Sequence, residues 1–196
     1  MTFYRVPKVE TIKDHKMLYE LTSVLPIQPF ELVALLDIPE GLCLEFGVAS
    51  GASTCMLHRL IQRDIHGFDS FQGMPEDWGT ALKRGDFAGI VPRTEPGIHL
   101  ITGWIEHTLP PFLEQHSGPI AFANIDVDIY STTKFILEKI EPRLVKGSIL
   151  MVDDLTDFSA CFNHQCKAWF EFISETQKLW EVVCRYSRNG MLFRKV

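Results

Sequence analysis

With 196 residues, of which 46% are apolar and 22% charged, the chain has the size and composition of one globular domain, which excludes disorder, collagen-like repeats and a coiled coil. A formal charge of −6 at pH 7 lacks the basic footprint that tracks phosphates, so nucleic acid is not an expected partner. Five cysteines without a framework spacing point to reduced thiols in a cytoplasm. No apolar run approaches the roughly 20 residues of a membrane span, and the opening MTFYRVPKVE lacks a signal-peptide core.

In chain order, residues 1–40 read as a helical lead-in, since Leu18, Leu21, Leu25, Leu32 and Leu36 keep a helical period broken at Pro26 and Pro29. The core follows over 41–196. GLCLEFGVASGAS (41–53) predicts a buried strand, a tight turn and a helix start, and ASTCMLHRLIQR (52–63) predicts the helix. DIHGFDS (64–70) is the next strand, followed by a Gly- and Pro-containing excursion from Gly73 to Gly97, a length at which loops are often functional. The pattern resumes with a strand in IHLITGW (98–104), a proline-flanked helix at 110–116 and a strand in PIAFANIDVD (119–128). A helix at 131–141, the strand KGSILMVDDL (146–155) and a long helix at about 157–178 come next. Asn189-Gly190 between two β-rich runs signals a terminal hairpin.

Strands alternate with helices and are continuously apolar, which implies a parallel sheet covered on both faces. The expected fold is a single α/β domain, Rossmann-like and doubly wound, with an antiparallel C-terminal hairpin strand at the sheet edge. Ligands of such sheets bind beyond the carboxyl ends of the strands. Those ends carry Glu45, Asp69, the Thr102-Gly103-Trp104 corner, Asp126 and Asp153-Asp154. Like charges converging in one crevice repel, so a ring of acids there marks a ligand site.

The first turn, Glu45 to Gly51, lacks the G-x-G-x-x-G spacing of a dinucleotide fingerprint. A pyrophosphate on the helix N-terminus would be opposed by Glu45. A ligand bearing an ammonium and a sulfonium would be attracted instead, its carboxylate taking the helix N-terminus and the Ser53 hydroxyl. S-adenosylmethionine has this make-up. Asp69 lies 24 positions after Glu45 (69 − 45), near the spacing at which an acid meets ribose hydroxyls. The expected cofactor set is Glu45, Gly47, Gly51, Ser53, Asp69, Ser70, Gly103, Trp104 and Asp126, with Trp78, Trp104 and Phe71 as aromatics able to stack on adenine or close over substrate.

Asp126 and Asp153-Asp154 end two successive strands, and neighbouring strands lie about 4.8 Å apart. Three hard oxygen ligands there suit Mg²⁺, or another divalent cation such as Mn²⁺ or Ca²⁺. Capping of the following helix accounts for one of Asp153 and Asp154, not for both.

Together LEFGVASGAS, GFDSFQGMPEDW, ITGWIEHTLPPFL and NIDVDIYSTTKFILEKIEPRLVKGSILMVDDL, in this order, resemble the macrocin O-methyltransferase family, within the class I S-adenosylmethionine-dependent methyltransferases, from about Gly41 to Phe172. The resemblance implies a metal-dependent O-methyltransferase acting on sugar hydroxyls of natural products. It puts Glu45, Gly47, Gly51, Ser53 and Asp69 at the cofactor and Asp126, Asp153 and Asp154 at the metal. The lead-in is shorter than in macrocin-type enzymes, so a macrolide acceptor is not carried over. The chain is similar, more distantly, to catechol O-methyltransferases, but Ile129 stands where they carry a lysine base.

Methyl transfer from a sulfonium to a small-molecule hydroxyl needs in-line alignment and a proton acceptor. His107, in the WIEHTLP loop, and Asp126 are the expected catalytic residues. Cys161, His164 and Cys166 do not match a zinc spacing. The D-x-D of Asp126-Val127-Asp128 leaves a nucleotide-sugar glycosyltransferase as the rival enzyme. A non-catalytic adenosylmethionine-binding domain is the rival of another class, and it would tolerate loss of the acid triad. The lead-in helix could serve a homodimer.

Overall fold

The computed structural model describes residues 4–5, 29–78, 82–155 and 163–196. The strands are β1 (Tyr4–Arg5), β2 (Leu42–Phe46), β3 (Ile65–Asp69), β4 (Ile98–Thr102), β5 (Ile120–Ile125), β6 (Leu144–Val152), β7 (Trp180–Arg185) and β8 (Met191–Lys195). The helices are α1 (Ala52–Ile61), α2 (Ile105–Gln115), α3 (Tyr130–Ile140) and α4 (Gln165–Thr176). One sheet runs in the order β1-β7-β8-β6-β5-β2-β3-β4. Its five central and outer strands from β6 to β4 are mutually parallel, while β8 pairs antiparallel with both β6 and β7. The hairpin expected at the edge is therefore inserted, β8 inside and β7 outside it, with β1 added beyond.

Both faces of the sheet are buried because successive strand residues serve opposite cores. Leu44 and Phe46 join a cluster with Ile105, Leu109, Ile136 and Trp169, whereas Cys43 joins Val33, Leu57 and Phe122 on the other side. Burying each such side chain contributes about 1.5–3 kcal/mol, which is why the strands need no polar alternation. Among the described residues no helix is long and apolar enough to cross a membrane.

Two local expectations need correction. The helix placed at 110–116 begins at Ile105 and contains Pro110 and Pro111. Ile105, Leu109 and Phe112 are its buried residues, and packing of that one stripe outweighs the hydrogen bonds the prolines remove. The lead-in is not uniformly helical in character: Tyr4–Arg5 pair with β7, and Phe30–Leu35 form a 3-10 helix. Leu18, Leu21, Leu25, the start of the last helix at 157 and Cys161 lie outside the described residues.

The strand order reverses between β2, whose chain continues to β3 on one side, and β5 on its other side. Crevices form at such a reversal, and this one brings Glu45, Gly47 and Asp126 to one place.

Candidate active site

Beyond β2 the chain turns sharply. Gly47 donates to Phe68 O at 2.9 Å and Asp126 N donates to Phe46 O at 2.9 Å, which draws the ends of three strands together. Gly47 has φ 89°, and a Cβ there would overlap the Asp126 carbonyl oxygen. Only glycine fits both demands. The turn closes with Gly51 N donating to Val48 O at 2.8 Å, and α1 starts at Ala52.

Asp69 holds that turn from below. Its Oδ2 accepts from Val48 N at 2.9 Å and from Ala49 N at 2.8 Å, and its Oδ1 accepts from Phe71 N at 2.7 Å. Glu45 is fully buried one layer deeper. Its Oε1 accepts from Asn124 Nδ2 at 2.9 Å, and its Oε2 is buried without a hydrogen bond of good geometry. Burial pushes the Glu45 carboxyl up, opposed by the Thr54, Ser53 and Asn124 side chains and assisted by the Asp69 charge.

A cavity of about 430 Å³ opens over this turn, within the range of small-molecule sites. Of the residues expected at the cofactor or the reaction, Gly47, Ser53, Asp69, Ser70, Trp104 and Asp126 line it. Glu45 lies behind the turn, Gly51 closes it without lining the cavity, and Gly103 shapes the corner before α2 rather than the wall. His107 is on the first turn of α2, with its N–H bonded to Trp104 O at 2.9 Å, and its side chain is exposed and away from the cavity lining. The loop assigned to it is helix, for the packing reason given above.

Two acidic lining residues were not among the expected site residues, although Asp128 entered through the D-x-D of the rival enzyme. Glu106 precedes His107 and faces the cavity, its Oε1 accepting from Thr132 Oγ1 at 2.8 Å. Asp128 also lines the wall. A carboxylate in a helix's first turn after a strand end, and the second acid of the D-x-D, were the available signals. Phe71 is buried in the core and Trp104 is on the cavity wall. Trp78 is not on that wall; it donates Nε1–H to Asp128 O at 3.1 Å and tilts over the His164 ring at 5.5 Å.

The ends of β5 and β6 hold the acids together. Burial pushes the Asp126 carboxyl well above the ordinary carboxylate range, reinforced by Asp153, Asp128, Asp154 and Glu45. Burial raises Asp128 to about 7, with the Asp154 side chain next in effect. Asp153 is raised by burial and by Asp154, and Tyr186 Oη–H, donating to its Oδ1 at 3.2 Å, pulls the other way. Asp128 and Asp154 both adopt left-handed backbone, at φ 60° and φ 48°, conformations that non-glycine residues keep mainly where surroundings enforce them. Among the described residues no three His, Cys, Asp or Glu side chains gather closely enough to hold one metal ion. The donor chemistry nevertheless fits a hard divalent cation, since these are mutually repelling carboxyls with no cationic side chain among the causes that shift them.

Comparison with known proteins supplies the family. A family profile described as a methyltransferase domain matches residues 44–155. A curated relative from Streptomyces olivaceus, named 8-demethyl-8-(2,3-dimethoxy-alpha-L-rhamnosyl)-tetracenomycin-C 4'-O-methyltransferase, is 27% identical over 146 residues, 61% of this chain and 55% of that protein. The chain thus spans about half the length of that relative. The calicheamicin methyltransferase CalS11 superposes with a TM-score of 0.64 at 24% identity over 93% of this chain and 77% of its own, and its apo structure is described as a TDP-rhamnose 3'-O-methyltransferase. The O-methyltransferase NovP gives a TM-score of 0.63 at 20% identity over 95% and 82%. The two superpositions share the fold, and the profile covers the stretch from β2 to the acids after β6: this chain belongs to the methyltransferase-domain family.

Proposed function

We infer that the chain is an S-adenosylmethionine-dependent O-methyltransferase acting on a hydroxyl of a small polyhydroxylated acceptor, a sugar or a sugar-bearing natural product. The observation that carries this reading is one cavity walled by the glycine turn and the start of α1 on one side and by Asp126 and Asp128 on the other. Ala52 and Ser53 at the start of α1 suit a carboxylate, which helix N-termini attract. Asp69 and Ser70 lie where sugar hydroxyls would be met, and Trp104 offers a flat face to a purine with Glu106 as an acceptor for its amino group. S-adenosylmethionine supplies a methyl group on a sulfonium.

In the displacement the acceptor oxygen forms a bond to the methyl carbon as the carbon–sulfur bond breaks, and the hydroxyl proton must leave. Asp128, a carboxylate on the cavity wall, can take that proton as general base, whereas His107 faces solvent. Asp126, Asp153 and Asp154, which do not gather closely enough here to hold one ion, are the carboxylates that a divalent cation would draw together, neutralising their repulsion. The reduced thiols and the acidic net charge favour a cytoplasmic setting and a small-molecule partner.

Calorimetric titration of S-adenosylhomocysteine tests the reading, first into EDTA-treated protein and then with Mg²⁺ supplied. Micromolar binding is expected, with NADH and UDP-sugars silent. Silence of S-adenosylhomocysteine under both conditions overturns it. In parallel, Mg²⁺ should raise the unfolding temperature of the EDTA-treated protein, because an ion that binds only the native state stabilises it. An unchanged unfolding temperature removes the metal from the proposal and leaves the cofactor in place.

A further inference from the structure

The excursion between β3 and β4 folds back on itself as a pinned flap. Gly89 N donates to Phe71 O at its base, Met74 exchanges backbone bonds with Asp86 and Gly85 in its middle, and Trp78 and Leu82 close its tip. Lys83 N donates to Asp86 Oδ2 at 2.7 Å. A side chain at Gly73 would overlap Gly85 O, so the two limbs are in contact. The tip is tied to the acid side of the cavity through the bond from Trp78 Nε1 to Asp128 O.

From this frame three large apolar side chains face outward within five positions. Phe87 is 60% exposed, Ile90 92% and Val91 45%. Phe87 also lines the cavity, and it does so from left-handed backbone at φ 65°. An exposed phenyl and a left-handed L-residue are both unfavourable in the free protein, and such strain persists where function uses it. The strip then returns to the cofactor turn, where Pro92 stands 3.1 Å from the position a Gly51 Cβ would take. Apolar surface thus runs outward, through Phe87, from the cavity that Asp126 and Asp128 also line. A molecule reaching across both would have a hydroxylated end and an apolar end.

We propose that Phe87, Ile90 and Val91 form the seat for the apolar, non-reacting part of the acceptor, so that the chain prefers a glycoside carrying an apolar aglycone to the free or nucleotide-linked sugar. The assignment rests on the O-methyltransferase reading above. Arg84 and Arg93, exposed on the same flap, make a nucleotide-linked sugar the strongest rival occupant.

The test titrates p-nitrophenyl α-L-rhamnoside, methyl α-L-rhamnoside and TDP-rhamnose into the full chain saturated with S-adenosylhomocysteine, for the wild type and an Ile90→Ser/Val91→Ser double variant. Both positions are exposed, so folding does not depend on them. The aryl glycoside should bind about tenfold more tightly than the methyl glycoside to the wild type, and the double variant should lose that advantage with unchanged affinity for S-adenosylhomocysteine. Equal or absent binding of the two glycosides to the wild type overturns the proposal, as does an aryl advantage that survives in the variant. Tighter binding of TDP-rhamnose, insensitive to the substitutions, assigns the site to nucleotide sugars and overturns it too. A wild-type dimer that becomes monomeric in the variant, with aryl affinity unaltered, makes the strip an interface between copies. Titrating S-adenosylhomocysteine alone, and the glycosides without it, separates the two readings: failure of S-adenosylhomocysteine to bind counts against the methyltransferase, while the aryl preference is still read.

Discussion

Asp69 and Asp126 both terminate parallel strands at the rim of the same cavity, yet their surroundings are opposite. Asp69 accepts three backbone N–H bonds, so its charge is matched by the turn it holds. Asp126 is pushed up by burial first, and then by Asp153, Asp128, Asp154 and Glu45. The first acid stabilises the fold through its bonds. The second is kept at a cost to the fold, and a site that keeps such a cost is poised for a ligand that removes it.

The largest effect should come from the point where the two halves touch. Gly47→Ala places a methyl group on the Asp126 carbonyl oxygen in left-handed backbone, and chemical denaturation should show a loss of more than about 4 kcal/mol, exceptional for one substitution. A smaller loss would mean that the strand ends are not tightly joined.

Asp126→Asn should separate function from stability. Methyl transfer to a glycoside should fall by about 100-fold or more, while the EDTA-treated variant should unfold several degrees higher than wild type at pH 8. The sign follows from linkage. A carboxyl raised in the folded state binds its proton more tightly there than in the unfolded chain. Its penalty is absent below the ordinary carboxylate range near pH 4 and grows as pH rises through the folded value, about 7 for Asp128. Stability of the wild type without metal should therefore decline between those limits, and Asp126→Asn should flatten the decline. An equally steep decline in the variant would break the contrast with Asp69.

Asp69→Asn should do the reverse, lowering stability by about 2 kcal/mol, because an amide cannot accept all three backbone donors. Weaker S-adenosylhomocysteine binding should accompany it in calorimetry.

The smallest effect is at the opposite end of β3, where burial, with His99 and His116, lowers His66 to about 4. The unfolded chain takes up that proton near pH 6.5 and the folded protein does not, so stability is intact above 6.5 and is lost as pH falls toward 4. For this partly buried group the loss should be about 1–2 kcal/mol after screening. His66→Gln, followed by thermal unfolding across that window, should remove it and leave the pH 8 behaviour of the acid cluster unchanged.

Much of this arrangement was legible in the chain. The apolar runs around Leu44, Ala123 and Leu150 are strands because both sheet faces are covered, and a strand buried on both faces has only one simple spelling. The acids at 69, 126, 153 and 154 could be located because they interrupt those runs. The position of α2 was not legible: Pro110 and Pro111 are strong local signals, and the stripe of Ile105, Leu109 and Phe112 prevails over them only through contact with the distant core. His107 was displaced from its expected loop for the same reason.

The amino-acid sequence by itself determined the alternation of strands and helices, the glycine turn after β2 and the set of acids at the strand ends, since these depend on local periodicity and backbone freedom. Which acids are matched and which are left in repulsion was decided by the tertiary structure. Asp69 meets the N–H groups of residues 48 and 49, and Trp78 reaches Asp128 fifty positions away. Likewise, the insertion of β8 between β6 and β7 brings Tyr186 to Asp153. Electrostatic energy depends on separation in space, and only the packed sheet sets those separations.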